Sequence, residues 1–359
     1  MNKKSQTKKT VASLGIIGAS LILAFAPIPG FKETLVVVAG TELQESLQKL
    51  EAKFENENPS IDLKLEFQGS QDIVRNYIEQ QNDFPAQVLI PASGEILEQY
   101  CQLPQNQSNC PFIERTAVAK TVLVGIAWQE RGNILFPDGK FSWSRIERAM
   151  QQQNWSKIAE KANWGSFDFV ITNPTRSNSG QLTIDLWLQA KNYDLNSSEA
   201  KSLVSLIKQN IYQPPRSTDI LLQEFISRGA NDGDIAMVYE SIALYRWSQA
   251  QVTQRQPYKI YYPDTTIETI ATATVPQNVA QGIDQAAYKF IAYLTQPEQQ
   301  MVFIQHGFRP TISGIDLSSV ADSPWSQNIP GTMPNLAVTT VQPPNAQEIT
   351  EIQDLWNLN

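Results

Sequence analysis

The sequence predicts an α/β protein built on open sheets. Three observations carry that expectation. Short apolar runs of strand type alternate with helical periodicity from residue 34 to residue 306. The chain has 359 residues, 42% apolar and 18% charged, an ordinary globular composition long enough for about two domains. No sequence repeat of fixed period runs through it, which argues against a solenoid or propeller.

Taken in order, Leu35-Val36-Val37-Val38-Ala39 reads as a short buried strand. Gly40 and Thr41 then open a helix with Leu43, Leu47, Leu50 and Phe54 on one stripe. Ile61, Leu63, Leu65 and Phe67 alternate strictly, so a half-buried strand follows. Gly69-Ser70 break it, and Ile73, Val74, Tyr77 and Ile78 suit the next helix. Val88-Leu89-Ile90 is a third strand, closed by Pro91, with a helix from Ser93. Thr116 to Trp128 is a long β-rich run. Phe141 to Ile158 reads as helical segments whose Trp143 belongs to an apolar stripe, and Phe167 to Thr172 as a strand. Ser177-Asn178-Ser179-Gly180 lead into a helix with Leu182, Leu186 and Trp187, followed by helices near 197–210 and 218–228. Ile235–Tyr239, Tyr258–Tyr262 and Glu268–Val275 are strands. Residues 281–294 and 297–306 are helical, the second with Pro297 in its first turn. From Ser323 the chain turns Pro-, Asn- and Thr-rich and reads as a surface-hugging tail, closed by an amphipathic helix over Ala346 to Leu358.

The N-terminus reads as an export signal. Lys3, Lys4, Lys8 and Lys9 precede the apolar or small-residue run Val11 to Ala26. Ala24 and Ala26 match the small residues of a cleavage site, but Pro27 after them is a poor cleavage context. Residues 1–30 are therefore either a signal peptide or an N-terminal anchor that keeps contact with the membrane. The location is periplasmic or otherwise extracytoplasmic. In an oxidising compartment Cys101 and Cys110, nine apart in a polar loop, form a disulfide. Net charge is −8, and −12 once the lysine-rich first 30 residues are set aside. So acidic a body argues against a nucleic-acid partner. It does not exclude a small anion held by local N–H groups.

One histidine and two cysteines exclude much chemistry. A zinc site of several His or Cys ligands cannot be assembled. A triad would have to use His306, which ends a helix and reads as a partner of the helix dipole. No catalytic residue, metal or cofactor is assigned.

The polar chemistry gathers where strands end. Gly40-Thr41, Gly69-Ser70, Ser177-Asn178-Ser179-Gly180 and Tyr239-Glu240-Ser241 each place small polar residues at a helix start. Ligands bind outside the carboxyl ends of strands in open α/β sheets. Unpaired N–H groups, hydroxyls and a glycine approach there suit a small polar molecule or oxyanion. Ser, Thr and Asn are also ordinary helix caps, so the set of four carries the signal. Arg176 either reaches a ligand anion or stays a surface residue. Glu240 either points into the pocket, which favours a cationic or hydroxylic ligand, or faces solvent. Tyr239 is the candidate ligand wall.

Several segments resemble the type 2 periplasmic solute-binding proteins of ABC transporters, in the molybdate/sulfate/phosphate-like branch. The segments are FQGSQDIV at 67–74, PAQVLIPAS at 85–93, TNPTRSNSG at 172–180, GDIAMVYES at 233–241 and AAYKFIAYLTQPEQQMVFIQHGFRP at 286–310. At PAS and YES the chain is also similar to solute-binding regions fused ahead of von Willebrand A domains. The resemblance implies a two-lobe fold, each lobe an open sheet flanked by helices, with crossings near Ala119–Leu123 and Tyr261–Thr272. Residues 31–121 and 264–322 would form lobe 1, 122–263 lobe 2, and 323–359 a C-terminal tail and helix. Thr41, Ser70, Ser93, Ser179 and Tyr239 match the family's ligand contacts, with Arg176, Ser177 and Glu240 beside them. The function implied is capture of a small polar, anionic solute for an ABC permease. The alternatives are a membrane-tethered sensory or scaffold protein on the same fold and, remotely, a hydrolase; no G-x-S-x-G elbow supports the last.

Overall fold

A computed structural model describes residues 32–102, 110–112, 114–211, 213–254, 256–277 and 283–358. The export segment at residues 1–30 lies outside them. The strands are β1 (Glu33–Gly40), β2 (Ile61–Gln68), β3 (Val88–Ile90), β4 (Arg115–Trp128), β5 (Phe169–Val170), β6 (Ile235–Tyr239), β7 (Tyr258–Tyr261), β8 (Thr265–Thr274) and β9 (Thr339–Val341). They run in the order β2-β1-β3-β8-β4-β6-β5, with β7 on β4 and β9 on β8. β1 pairs in parallel with β2 and β3, and β5 with β6, as crossover helices require.

The long strands β4 and β8 join the two halves. Arg115 to Val122 of β4 pair with β8, ending at Val122 opposite Glu268. From Leu123, opposite Tyr239, β4 pairs with β6 instead. One strand thus belongs to two sheets, and its change of partner marks the seam between the lobes.

Period-two alternation explains the first lobe's two packed faces. Leu35, Val37 and Ala39 of β1 pack with Leu43, Leu47, Leu50 and Phe54 and with Phe290 and Phe303. Val38 points the other way, to Ile73, Val74, Leu89, Ile96 and Leu97. In the second lobe Trp187 is fully buried and stacks on Trp143 at 4.7 Å, inside a core formed with β4, β6 and β7. Each side chain fully buried in this way contributes about 1.5–3 kcal/mol over exposure.

The structure departs from the sequence expectations in three places. Thr41–Leu43 is a single 3₁₀ turn, and the α-helix begins only at Gln44. The strand expected over 167–172 is reduced to Phe169–Val170. The tail does not merely hug the surface: Trp325, Ile329, Ile352, Leu355 and Trp356 join the second core, and Thr339–Val341 adds a strand to β8. The closing helix Ala346–Leu358 touches both sides of the seam. Gln99, on the first-lobe helix Gly94–Gln102, donates to Thr350 Oγ1 at 3.1 Å, and Lys208 donates to the Trp356 carbonyl at 2.8 Å. His306 ends its helix as the sequence predicts. Its Nδ1–H donates to the Val302 carbonyl in the last turn at 2.7 Å, its ring stacks on Tyr245, and burial pushes its pKa down. Cys101 and Cys110 are joined in a disulfide.

Candidate functional site

Six segments at strand ends and helix starts converge on the seam. From the first lobe come Thr41 after β1, Ser70 at the start of the helix Ser70–Ile78, and Ala92-Ser93 after β3. From the second come Ser177 to Gln181 at the start of the helix Asn178–Lys191, Thr218-Asp219 on the helix Thr218–Arg228, and Tyr239 at the end of β6. The lobes meet closely here. Gln71 Nε2 donates to Gln181 Oε1 at 2.7 Å, both side chains buried. Gln71 N–H donates to the Arg176 carbonyl at 3.3 Å. Gly69 permits this approach, since a Cβ there would sit 2.6 Å from the Arg176 carbonyl oxygen.

The structure brings most of the expected residues together. Ser179 Oγ lies 2.9 Å from Thr172 Oγ1 and 2.7 Å from Thr218 Oγ1, with Ser177 Oγ at 3.4 Å, in a buried cluster of hydroxyls. Ser70 Oγ accepts from the Ala92 N–H at 3.0 Å and its hydroxyl donates to Glu42. Thr41 Oγ1 and Tyr239 OH are sealed from solvent with no hydrogen-bond partner among the described residues. The same holds for Gln181 Nε2 and Ser241 Oγ. A buried polar group without a partner costs about 1–3 kcal/mol, which a ligand or a buried water at the seam would offset.

Three expected contacts are engaged elsewhere. Ser93 hydrogen-bonds to Glu95 on its own helix. Arg176 is neither idle at the surface nor free for an anion, because its Nη2 lies 2.7 Å from Asp72 Oδ2 across the seam. Glu240 faces neither solvent nor an open pocket. It is fully buried, and Arg309 grips both of its oxygens at 2.7 and 2.8 Å while Tyr262 donates to one of them. Burial pushes the Glu240 pKa up and Arg309 opposes the shift.

The carboxyl that does reach the seam is Glu42, which the sequence reading passed over. Its Oε1 is enclosed and has no hydrogen-bond partner among the described residues. The side chain folds back over the end of β1, where a Cβ at residue 40 would overlap it, so Gly40 makes room. Burial lifts its pKa to about 7, opposed by a hydrogen bond from its own backbone N–H and by the Ser70 hydroxyl, with the charge of Asp219 adding. Burial, and then Glu42, push Tyr239 well above the ordinary tyrosine range, while the nearby Asn178 side chain opposes the shift. The available signal was the hydroxyl-acid pair Thr41-Glu42 directly after a strand-end glycine. Asn178 and Thr218 were also missed as site residues, because polar residues at helix starts look like caps.

The family described as bacterial extracellular solute-binding protein matches residues 35–309. No curated protein sequence matches the chain. Among solved structures, a ferric binding protein from Campylobacter jejuni aligns with a TM-score of 0.60 and 13% identity, over 90% of this chain and 98% of its own. The sulfate-binding protein SubI from Mycobacterium tuberculosis aligns at 0.58 and 14% identity, over 89% and 95%. Iron-bound HitA from Pseudomonas aeruginosa aligns at 0.58 and 14%, over 90% and 97%. At such identities the likeness shows a common two-lobe fold.

Proposed function

The chain belongs to the bacterial extracellular solute-binding protein family, and from that premise we propose that it captures a small polar solute between its lobes and delivers it to an ABC permease. The family is extracellular, so capture takes place outside the cytoplasm. One observation carries the reading: Thr41 Oγ1 from one lobe and Tyr239 OH and Gln181 Nε2 from the other are buried at the seam without partners among the described residues. A ligand that completes the hydrogen bonds of such groups recovers the cost of leaving them unpaired. Because they come from both lobes, a solute there would favour the closed arrangement, and capture would follow from hinge closure.

The lobe division we infer is 31–121 with 264–322 against 122–263, with 323–359 as the tail. The β4 partner change and a hydrophobic cluster drawn wholly from 31–121 and 264–322 support it, while the second cluster also takes in Ala92, Ile267, Ile304, Leu317 and Val320 at the junction. The proposed contacts are Thr41, Ser70, Ser177, Ser179 and Tyr239, joined by Gln181 and Glu42. The neighbours named for sulfate and for ferric iron support a solute of inorganic-ion size. The test is a melting-temperature screen of oxyanions, metal ions, amino acids and sugars. A ligand at 100 times its Kd adds about 2.7 kcal/mol to stability and raises Tm. No shift with any solute would overturn the capture reading.

A further inference from the structure

Among the described residues no ion pair holds Glu42, which sits at the seam. Arg176 already holds Asp72, Arg246 holds Asp219 at 2.6 Å, and Arg309 holds Glu240. The groups facing Glu42 are Ser70 from the helix Ser70–Ile78, Asp219 from the helix Thr218–Arg228 and Tyr239 from β6. Next along its own chain is Glu45, 3.7 Å from Arg246. Beside Glu42 Oε1, the partnerless polar atoms at the seam are hydroxyls and one amide. An ionised Glu42 would repel an oxyanion placed among them. A protonated Glu42 would instead donate a hydrogen bond to it, as the hydroxyls of Thr41 and Tyr239 would.

We propose that the cleft takes up an oxyanion together with one proton, and that Glu42 carries that proton in the bound state. The inference rests on the capture reading and adds the ligand class and its linkage to pH. Its sign follows from the pKa of Glu42. Burial already brings the free carboxyl to about 7, and an anion beside it pushes the value higher. The complex therefore holds more protons than the free protein above neutral pH. Affinity falls as pH rises past the free pKa, tenfold per unit.

The experiment titrates the full chain with sulfate and with molybdate, neither of which carries a proton between pH 6 and 8.5. Calorimetry in two buffers of different ionisation heat counts the protons exchanged. The expected result is an affinity about thirtyfold lower at pH 8.5 than at pH 6, with close to one proton taken up at the higher pH. In Glu42→Gln the amide donates without a proton, so affinity becomes independent of pH and uptake disappears. A wild-type affinity flat with pH and no proton uptake would overturn the proposal, as would the same pH slope in Glu42→Gln. If that variant does not fold, the wild-type proton count decides by itself. Silence with both oxyanions while another solute raises Tm overturns the oxyanion-and-proton proposal and leaves capture standing. Silence with every solute overturns both.

Discussion

Arg309 and Glu240, 69 residues apart in sequence, form a two-pronged ion pair, with Nε to Oε2 at 2.7 Å and Nη2 to Oε1 at 2.8 Å. The same guanidinium donates to the carbonyls of Met333 at 2.7 Å and Pro334 at 3.0 Å. It ties the end of the second core's strand β6 to the tail. It also removes Glu240 from the ligand's surroundings, which is why the charge question passes to Glu42.

Removing one partner of a buried pair leaves the other charge uncompensated, at a cost of about 3–5 kcal/mol. Arg309→Ala is therefore expected to lower unfolding stability by that amount in urea titration. Replacing both residues by apolar ones of similar size should recover much of the loss. Equal losses in the single and double variants would mean that packing, not charge, dominates.

The two cross-lobe contacts should differ in weight. The Arg176–Asp72 pair is about one-third exposed on the arginine side, so Arg176→Ala should cost only about 0.2–1 kcal/mol of closure. Gln71→Ala leaves the buried Gln181 amide group without its partner, at about 1–3 kcal/mol. Solute affinity is expected to fall further in Gln71→Ala than in Arg176→Ala. Titration calorimetry in low and high salt checks the order, and the Arg176→Ala effect should shrink in high salt.

Stability should depend on pH in the direction set by raised carboxyl pKa values. Glu42 and Asp234 both rise to about 7, each chiefly through burial. The folded state then binds more protons than the unfolded chain between about pH 4 and 7. That stabilisation is full below the unfolded values and is lost as pH climbs through 7. The ligand-free protein should melt higher at pH 5 than at pH 8, and Glu42→Gln should flatten part of the difference. A Tm that rises across this range would contradict the assignment.

The Cys101–Cys110 bond closes a short loop, so the chain-entropy model gives about 2–3 kcal/mol. Cys101→Ser/Cys110→Ser should lose roughly that much stability. Reductant should lower the Tm of the wild type and leave the double variant unmoved.

Much of this architecture was legible because it is written in short-range pattern. The alternation in β1 and β2 and the stripe Leu43, Leu47, Leu50, Phe54 fix strands and helices locally. Tyr239 and Ser179 were legible as site candidates because they stand where strands end. What escaped depends on distance in sequence. Nothing near Glu240 announces Arg309, and nothing near Arg176 announces Asp72, 104 residues away. Glu42 escaped for a different reason: an acid in the first turn of a helix is favoured by the dipole anyway, so its composition signal is ordinary. The buried tail was misread because Pro- and Asn-rich segments usually stay outside, whereas here Trp325 and Trp356 anchor it.

The most direct test of capture at the seam is solute affinity in Thr41→Val and Tyr239→Phe, one from each lobe. Each change removes a buried hydroxyl that has no partner among the described residues. Each should leave unfolding stability unchanged or slightly higher, yet weaken the solute about three- to tenfold. Full affinity retained in both variants would contradict the account.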